Sequence, residues 1–441
     1  MNKTLRAMTA AVLTVAGLLA VASLPAAAAA KPKVKAHICY ELTSTALKTA
    51  RVTTRACPKG YTSTKPSLQG TNIAGDIDLN VPSTVSLAIN GSSFDAPLVG
   101  ATTSGSTGYT AGGKVSFSAY PAAGSGTGRT DITNGSVNIG FTDVPMSAAA
   151  GTLPSGATEA NYAQVPYALG GAVIGYNLGA GFDNLKLTAA EIAGIYNGTI
   201  TLWSDPTIVA TNGGTSTTVG KALAALGTNN EPRDTIKVLY RNAGSGTTEA
   251  FTYYLYQAGN SGIAPNGGSP MEGSGGTWKA TNIDGVANNA AMAQGIVNTL
   301  GSIGYVEYSY VLIPGNDAIQ VAQLQDKNGQ WLEPSLTNIA AAAAAAGTSV
   351  TPDSFAITDE PGNNVWPFAT YSWAEVPKAQ TSEATCEAIT KYLDWESHYA
   401  QNAGIASAEG YVPLPAPVQA YARAQLQTVT VSGTVCVNQT T

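Results

Sequence analysis

From about residue 85 onward, runs in which every second or nearly every position is apolar take turns with runs in which apolar residues recur at three and four. The first kind predicts strands at "STVSLAING", "KVSFSAYPA", "VNIGFTDVP", "IKVLYR" and "WPFATYSWAEV", with "YALGGAVIGYNL" as a buried extended run. The second predicts helices. "LTAAEIAGIYNGTI" starts at Leu187 and Thr188 and puts Ile192, Ile195 and Tyr196 on one face. Thr248 to Gln257 does the same with Phe251, Tyr254 and Leu255, and further helices are expected near Val286 to Leu300 and in "EATCEAITKYLDWESHYAQNAG". The Ala340 to Ala346 tract is too short to span a membrane and reads as a packing or surface helix. Strands alternating with helices predict an α/β fold whose parallel or mixed sheets are covered on both faces.

The two ends of the chain follow other rules. Lys3 and Arg6, the apolar run Ala10 to Leu24 and the A-x-A sites of "LPAAAAAKPK" form an export signal over residues 1–30. Residues 31–74 then read as a small N-terminal piece holding Cys39 and Cys57 and ending in the turn-rich linker "CPKGYTSTKPSLQG". Four cysteines in an oxidising compartment pair without remainder. The nearest pairing is Cys39 with Cys57 and Cys386 with Cys436, and other connectivities remain open. Cys39 follows "KAHI" and not a small-residue cleavage box, so no lipid anchor is evident. The mature chain is expected to be soluble and periplasmic, cell-wall associated or secreted.

Composition narrows the chemistry. Charged residues make up 11% of the chain, against roughly a quarter in ordinary domains, and the net charge is -6 with no basic run beyond "KPKVK". Nucleic acid is therefore not an expected partner. Two histidines, no C-x-x-C, and neither H-E-x-x-H nor G-x-S-x-G argue against a zinc site, a metal phosphatase or a serine hydrolase, so neither a metal nor a cofactor is expected.

Small-residue loops at strand-to-helix junctions remain. In "VLYRNAGSGTTEAFTYYL", Arg241 precedes Gly244, Ser245, Gly246 and Thr247 at a helix entrance, where free N–H groups and the positive end of the macrodipole suit an anion. Arg241 adds a planar fork of donors. Read singly, such a loop is only a turn: Thr247 then caps the helix and Arg241 pairs with Glu249 at the surface. "INGSSFDAPL" presents Gly91, Ser92, Ser93 and Phe94 in the same way, "AAGSGTG" presents Gly124 to Gly128, and "VNIGFTDVPMS" ends a strand in Thr142 and Asp143. For Asp143 the plain alternative is an Asx turn before Pro145; Arg129 reads as a solvated residue at the rim.

In this order the segments "INGSSFDAPL", "AAGSGTG", "VNIGFTDVPMS", "GGAVIGYNL", "LTAAEIAGIYNGTITLWSDP", "VLYRNAGSGTTEAFTYYL", "GSIGYVEYSY" and "GYVPLP" resemble the periplasmic phosphate-binding proteins of bacterial ABC transporters, the PstS family, over about Val85 to Pro415. The resemblance implies a two-lobed periplasmic-binding-protein fold, with mixed sheets flanked by helices and a hinge between lobes. One lobe would be 75–167 plus 366–441, the other 168–365. It implies a binding protein rather than an enzyme, monomeric, which captures inorganic phosphate and delivers it to a membrane permease. The phosphate contacts carried over are Ser93, Phe94, Ser125, Asp143, Arg241, Ser245, Gly246 and Thr247. A carboxylate at Asp143 accepts a proton that hydrogen phosphate carries and sulfate lacks, which gives selectivity. This chain departs from the family in having Ser93 where Thr is usual, Ala243 where an acidic residue is common, and the glycine-rich "VGATTSGSTGYTAGGK" after the first loop. Competing expectations are a surface protein of the same fold with a scavenging, adhesion or matrix role, and a site for another oxyanion.

Overall fold

The computed structural model describes residues 37–42, 47–53, 61–62, 81, 83–105, 108–148, 151–260, 278–347, 350–352, 355, 357–402 and 404–436, all within the compact unit Lys33–Thr441. The signal segment, the Cys39–Cys57 pairing and most of the Gly-rich stretch Gly259 to Gly276 lie outside these residues. The backbone of the N-terminal piece forms a three-stranded antiparallel sheet in the order Leu47–Thr53, His37–Leu42, Tyr61–Thr62.

The largest sheet among the described residues has eight strands. Along it run Ile283–Val286, Lys237–Arg241, Ser302–Glu307, Tyr162–Asn177, Ala369–Pro377, Ile139–Thr142 and Ile89–Gly91, with Gln320–Val321 beside the long strand. Both ends are parallel and the middle is antiparallel, the mixed arrangement that the alternation predicts. Tyr162–Asn177 is the shared element. Its first ten residues pair with Ala369–Pro377 and its last six with Ser302–Glu307.

That long strand passes from one hydrophobic core to another. Ala163, Val165, Tyr167 and Ala168 pack in a core with Leu87, Phe141, Ile389 and Tyr392, whereas Leu169, Val173 and Ile174 pack with Ile192, Phe251, Tyr305 and Trp366. On the neighbouring strand the change falls between Trp373 and Ala374. Gly170 and Gly171 sit at the crossing because nothing larger fits: a Cβ on Gly170 would lie 2.7 Å from the Phe94 ring, and one on Gly171 would lie 2.7 Å from Ile339 Cδ1. Next to the crossing, Ser372 opposes Ala168 but Trp373 opposes Pro166, a bulge at a proline that has no N–H to give the ladder.

Local signals set the helix ends. Thr188 and Glu191 form a reciprocal capping box on Ala189–Tyr196, whose Ile192, Ile195 and Tyr196 are buried as their spacing predicts. Burying such side chains contributes about 1.5–3 kcal/mol each. The expected helix at Thr248 starts earlier, over Gly246–Gln257, because Ser245 and not Thr247 is the cap: its Oγ accepts from the Thr248 N–H at 3.2 Å. Three further expectations are corrected. "STVSLAING" splits into Val85–Leu87 and Ile89–Gly91, which pair with different strands. Val286 ends a strand, so the helix near it is Asn289–Asn298. The late helix Glu383–Asp394 widens into π-type turns over Trp395–Ala400. Cys386 on that helix is bonded to Cys436.

Candidate functional site

Four strand-to-helix junctions supply the site. Ser92 and Ser93 follow Ile89–Gly91 and precede the helix Ala96–Thr103; Ser125 opens Ser125–Thr133; Arg241 ends its strand ahead of Gly246–Gln257; and Asn289 opens Asn289–Asn298. Hydrogen bonds link them directly. Ser93 Oγ accepts from Arg241 Nη1 at 3.3 Å and from both the backbone N–H and Nδ2 of Asn289 at 3.1 Å, and the same Nδ2 donates to Thr247 Oγ1 at 3.1 Å. Thr247 Oγ1 in turn donates to Asp143 Oδ2, and the Asp143 N–H donates to Ser125 Oγ at 3.1 Å. All the polar members are buried.

Close approach requires the glycine at 246. A Cβ there would lie 2.5 Å from Asp143 Cβ and 2.8 Å from Ser125 Oγ, so Gly246 lets one helix N-terminus rest against the other. The four helix starts bring positive dipole ends to one place, which suits an anion without raising the net charge of the protein.

Asp143 is the acceptor in this ring of donors. Oδ1 takes a hydrogen bond from Ser92 Oγ and a longer one from Ser372 Oγ, and Oδ2 takes one from Thr247. Burial pushes its carboxyl up to about 6, while the Ser92 bond, the Arg241 charge and the Thr247 and Ser372 bonds hold it down against that push. At neutral pH it is therefore mostly ionised. The Asx-turn alternative does not hold: Pro145, two residues on, has no N–H to donate, and the carboxylate oxygens accept from Ser92, Ser372 and Thr247 instead.

Arg241 is buried and anchored on two sides. Its N–H donates to Tyr305 OH at 3.0 Å and its Nε to the Ala287 carbonyl at 3.1 Å. Nη2 is buried with no hydrogen-bond partner among the described residues, and the Cβ position of Gly124, at the start of Ser125–Thr133, is 3.5 Å from it. A buried guanidinium donor aimed at a helix N-terminus is what an oxyanion would satisfy.

Two expectations about arginines are overturned. Arg241 does not pair with Glu249 at the surface, and Arg129 is not solvated. Arg129 is buried beneath the site, where Nη1 donates to Thr142 Oγ1 at 3.0 Å and to the Val144 carbonyl at 2.9 Å. The charge of Glu249 acts on Arg129, and both sit behind Asp143. Arg129 thus holds the turn that presents Asp143.

The other sequence candidates are also placed. The Phe94 N–H donates to Ser92 Oγ at 2.9 Å, its carbonyl accepts from Tyr411 OH, and its ring packs edge-on against Tyr411. Ser245 caps its own helix. Sequence reasoning missed Asn289, Ser372 and the Tyr310 hydroxyl, which donates to the Ser93 carbonyl at 2.8 Å. "ANN" after the strand Ile283–Val286 repeats the strand-to-helix pattern of the other loops and is a signal for Asn289. Ser372 lies inside a strand and has none.

Residues 62–371 match the model of the PBP superfamily domain. The chain is 30% identical over 371 residues to the phosphate-binding protein PstS of Xylella fastidiosa (strain Temecula1), covering 80% of this chain and 90% of that one. It is 30% identical over 313 residues to the PstS of Pasteurella multocida, covering 70% of this chain and 81% of the relative. The crystal structure of the phosphate-binding protein from Stenotrophomonas maltophilia superposes with a TM-score of 0.57 at 20% identity, over 80% of this chain and 96% of that one, which establishes the periplasmic-binding-protein fold. This chain therefore belongs to the PBP superfamily and, within it, to the PstS phosphate-binding proteins.

Proposed function

We propose that this protein is an exported solute-binding protein, not an enzyme, that captures inorganic phosphate between two lobes and delivers it to the membrane permease of a phosphate ABC transporter. The observation that carries this reading is the presence, in one buried site, of both the Arg241 Nη2, which has no hydrogen-bond partner among the described residues, and the acceptor carboxylate of Asp143. A cation and helix N-termini bind any oxyanion. An acceptor among them selects one that still carries a proton.

The reading takes 75–167 plus 366–441 as one lobe and 168–365 as the other. The exchange of hydrophobic cores at Ala168/Leu169 supports the first crossover; on the second strand the exchange falls at Trp373/Ala374, later than residue 366, and Trp366 itself packs in the other core. Closure about those two strands would enclose the anion and couple occupancy to shape. The same reading takes phosphate contacts at Ser93, Phe94, Ser125, Asp143, Arg241, Ser245, Gly246 and Thr247. It also takes the mature chain as a monomer released by signal cleavage without a lipid anchor. No helix among the described residues is long and apolar enough to cross a membrane.

The test is calorimetric titration of phosphate, with sulfate as control, into mature protein stripped of bound anion by unfolding and refolding. Tight phosphate binding without sulfate binding is expected. Binding of neither anion would overturn the reading in favour of a surface role for the same fold.

A further inference from the structure

Behind the anion loops a second aspartate faces the first. Asp95 directly follows Phe94, is fully buried, and accepts from Ser372 Oγ at 2.6 Å through Oδ2, while its Oδ1 has no hydrogen-bond partner among the described residues. Ser372 Oγ also lies 3.4 Å from Asp143 Oδ1 and 3.1 Å from the Thr142 carbonyl. One hydroxyl hydrogen thus stands among three acceptors.

Two ionised carboxylates competing for one hydroxyl in a buried site leave one of them undersatisfied. The conflict disappears if Asp95 carries a proton. Its carboxylic O–H then donates to Ser372 Oγ, and the Ser372 hydrogen is free for Asp143 Oδ1. We propose that Asp95 is a neutral carboxylic acid that, through Ser372, orients a hydrogen bond onto Asp143 and so sets the acceptor strength of the anion site. Asp95 and Ser372 are positioning residues in this proposal, acting on the anion site through Asp143.

The surroundings of Asp95 agree. Burial, then the charges of Asp143 and Glu307, push its carboxyl well above the usual aspartate range, against the Ser372 bond that lowers it. Glu396 also faces it, as do the hydroxyls of Tyr120, Tyr310, Tyr392 and Tyr411. Arg241, the cation of the site, acts on Asp143. Asp143 is thereby the ionised member of the pair and Asp95 the protonated one.

This inference deepens the phosphate reading and rests on it for its binding test, so the experiment has two arms. The first is a carboxyl ¹³C titration of the wild-type full chain without phosphate, assigned with Asp95→Asn. Asp95 should stay protonated after Asp143 has ionised and through neutral pH; ionisation before Asp143, or near the ordinary aspartate value of 3.8, would sink the proposal. The second arm measures inorganic phosphate and sulfate affinities of Asp95→Asn and Ser372→Ala between about pH 6 and pH 9. Asparagine keeps a donor toward Ser372, so Asp95→Asn should hold phosphate within about twofold and leave the phosphate preference intact. Ser372→Ala should weaken phosphate by about tenfold and shift the pH profile of binding, as loss of a hydrogen bond to a charged acceptor requires. Tighter phosphate binding by Asp95→Asn, or an unchanged profile in Ser372→Ala, would overturn the assignment. Failure of the wild type to bind phosphate would count against the functional reading, and the carboxyl titration would still decide the state of Asp95.

Discussion

Thr247 Oγ1 stands 3.3 Å from Asp143 Oδ2, although 104 residues separate them. The hydroxyl opens the helix Gly246–Gln257, whose Phe251 and Tyr254 belong to one hydrophobic core. Asp143 follows Ile139–Thr142, whose Phe141 belongs to the other. A donor from an element of one core and an acceptor from an element of the other therefore meet in one buried hydrogen bond.

Replacing Asp143 should change selectivity more than affinity. Asp143→Asn keeps the shape and removes the acceptor, so sulfate binding should appear and the phosphate preference should fall by about 10- to 100-fold, the worth of one hydrogen bond to a charged group. Competition calorimetry measures it, and unchanged exclusion of sulfate would contradict the role given to Asp143.

The same carboxyl makes a pH prediction for the ligand-free site. Asp143 titrates at about 6, so it is an ionised acceptor above that value and a neutral donor below it. Sulfate affinity should therefore rise as pH falls through about 6 in the wild type. In Asp143→Asn it should be nearly flat, which titrations across that window would show.

Arg241→Lys keeps a positive charge but removes the fork whose Nε is fixed on the Ala287 carbonyl and whose Nη2 faces Gly124. Phosphate affinity should fall by about tenfold or more because an ammonium cannot reproduce two parallel donors. Equal affinity in calorimetry would place the anion away from Arg241.

Gly246→Ala inserts a Cβ 2.5 Å from Asp143 Cβ, where neither backbone nor side chain can easily yield. About 1–3 kcal/mol of stability should be lost, together with most phosphate binding. Urea unfolding and calorimetry on the same sample separate the two effects.

Stability should fall on the alkaline side. Burial raises Glu375 to about 8 and Glu249 to about 7, the charge of Arg129 opposing both shifts. Because these folded-state values exceed the unfolded ones, the folded state holds the extra protons. The stabilisation is complete below the ordinary glutamate value of 4.5 and is lost as pH rises through about 7 to 8. Glu375→Gln should flatten this slope in a series of thermal melts, and an unchanged slope would assign the loss elsewhere.

Much of the architecture is legible along the chain because it depends on neighbours in sequence. The alternation of strand and helix patterns, the capping pair Thr188 and Glu191 and the small-residue loops that open helices follow from local spacing, whereas the bond between Cys386 and Cys436, one of several connectivities the sequence leaves open, is decided by the fold. The grouping of Ser93, Ser125, Asp143, Arg241 and Thr247 is what the family resemblance of their junctions implies, and hydrogen bonds link them in the structure. Their wiring was not legible along the chain. Arg129 and Arg241 look alike as surface or site residues until packing buries both, sending one to the Thr142–Val144 turn and the other to Ser93. Ser372 is an unremarkable strand residue until folding brings Asp95 and Asp143, more than 200 positions away, to its hydroxyl. Contacts of that sequence separation carry no periodic signal, because they arise from how two cores share one long strand, and that packing exists only in the folded chain.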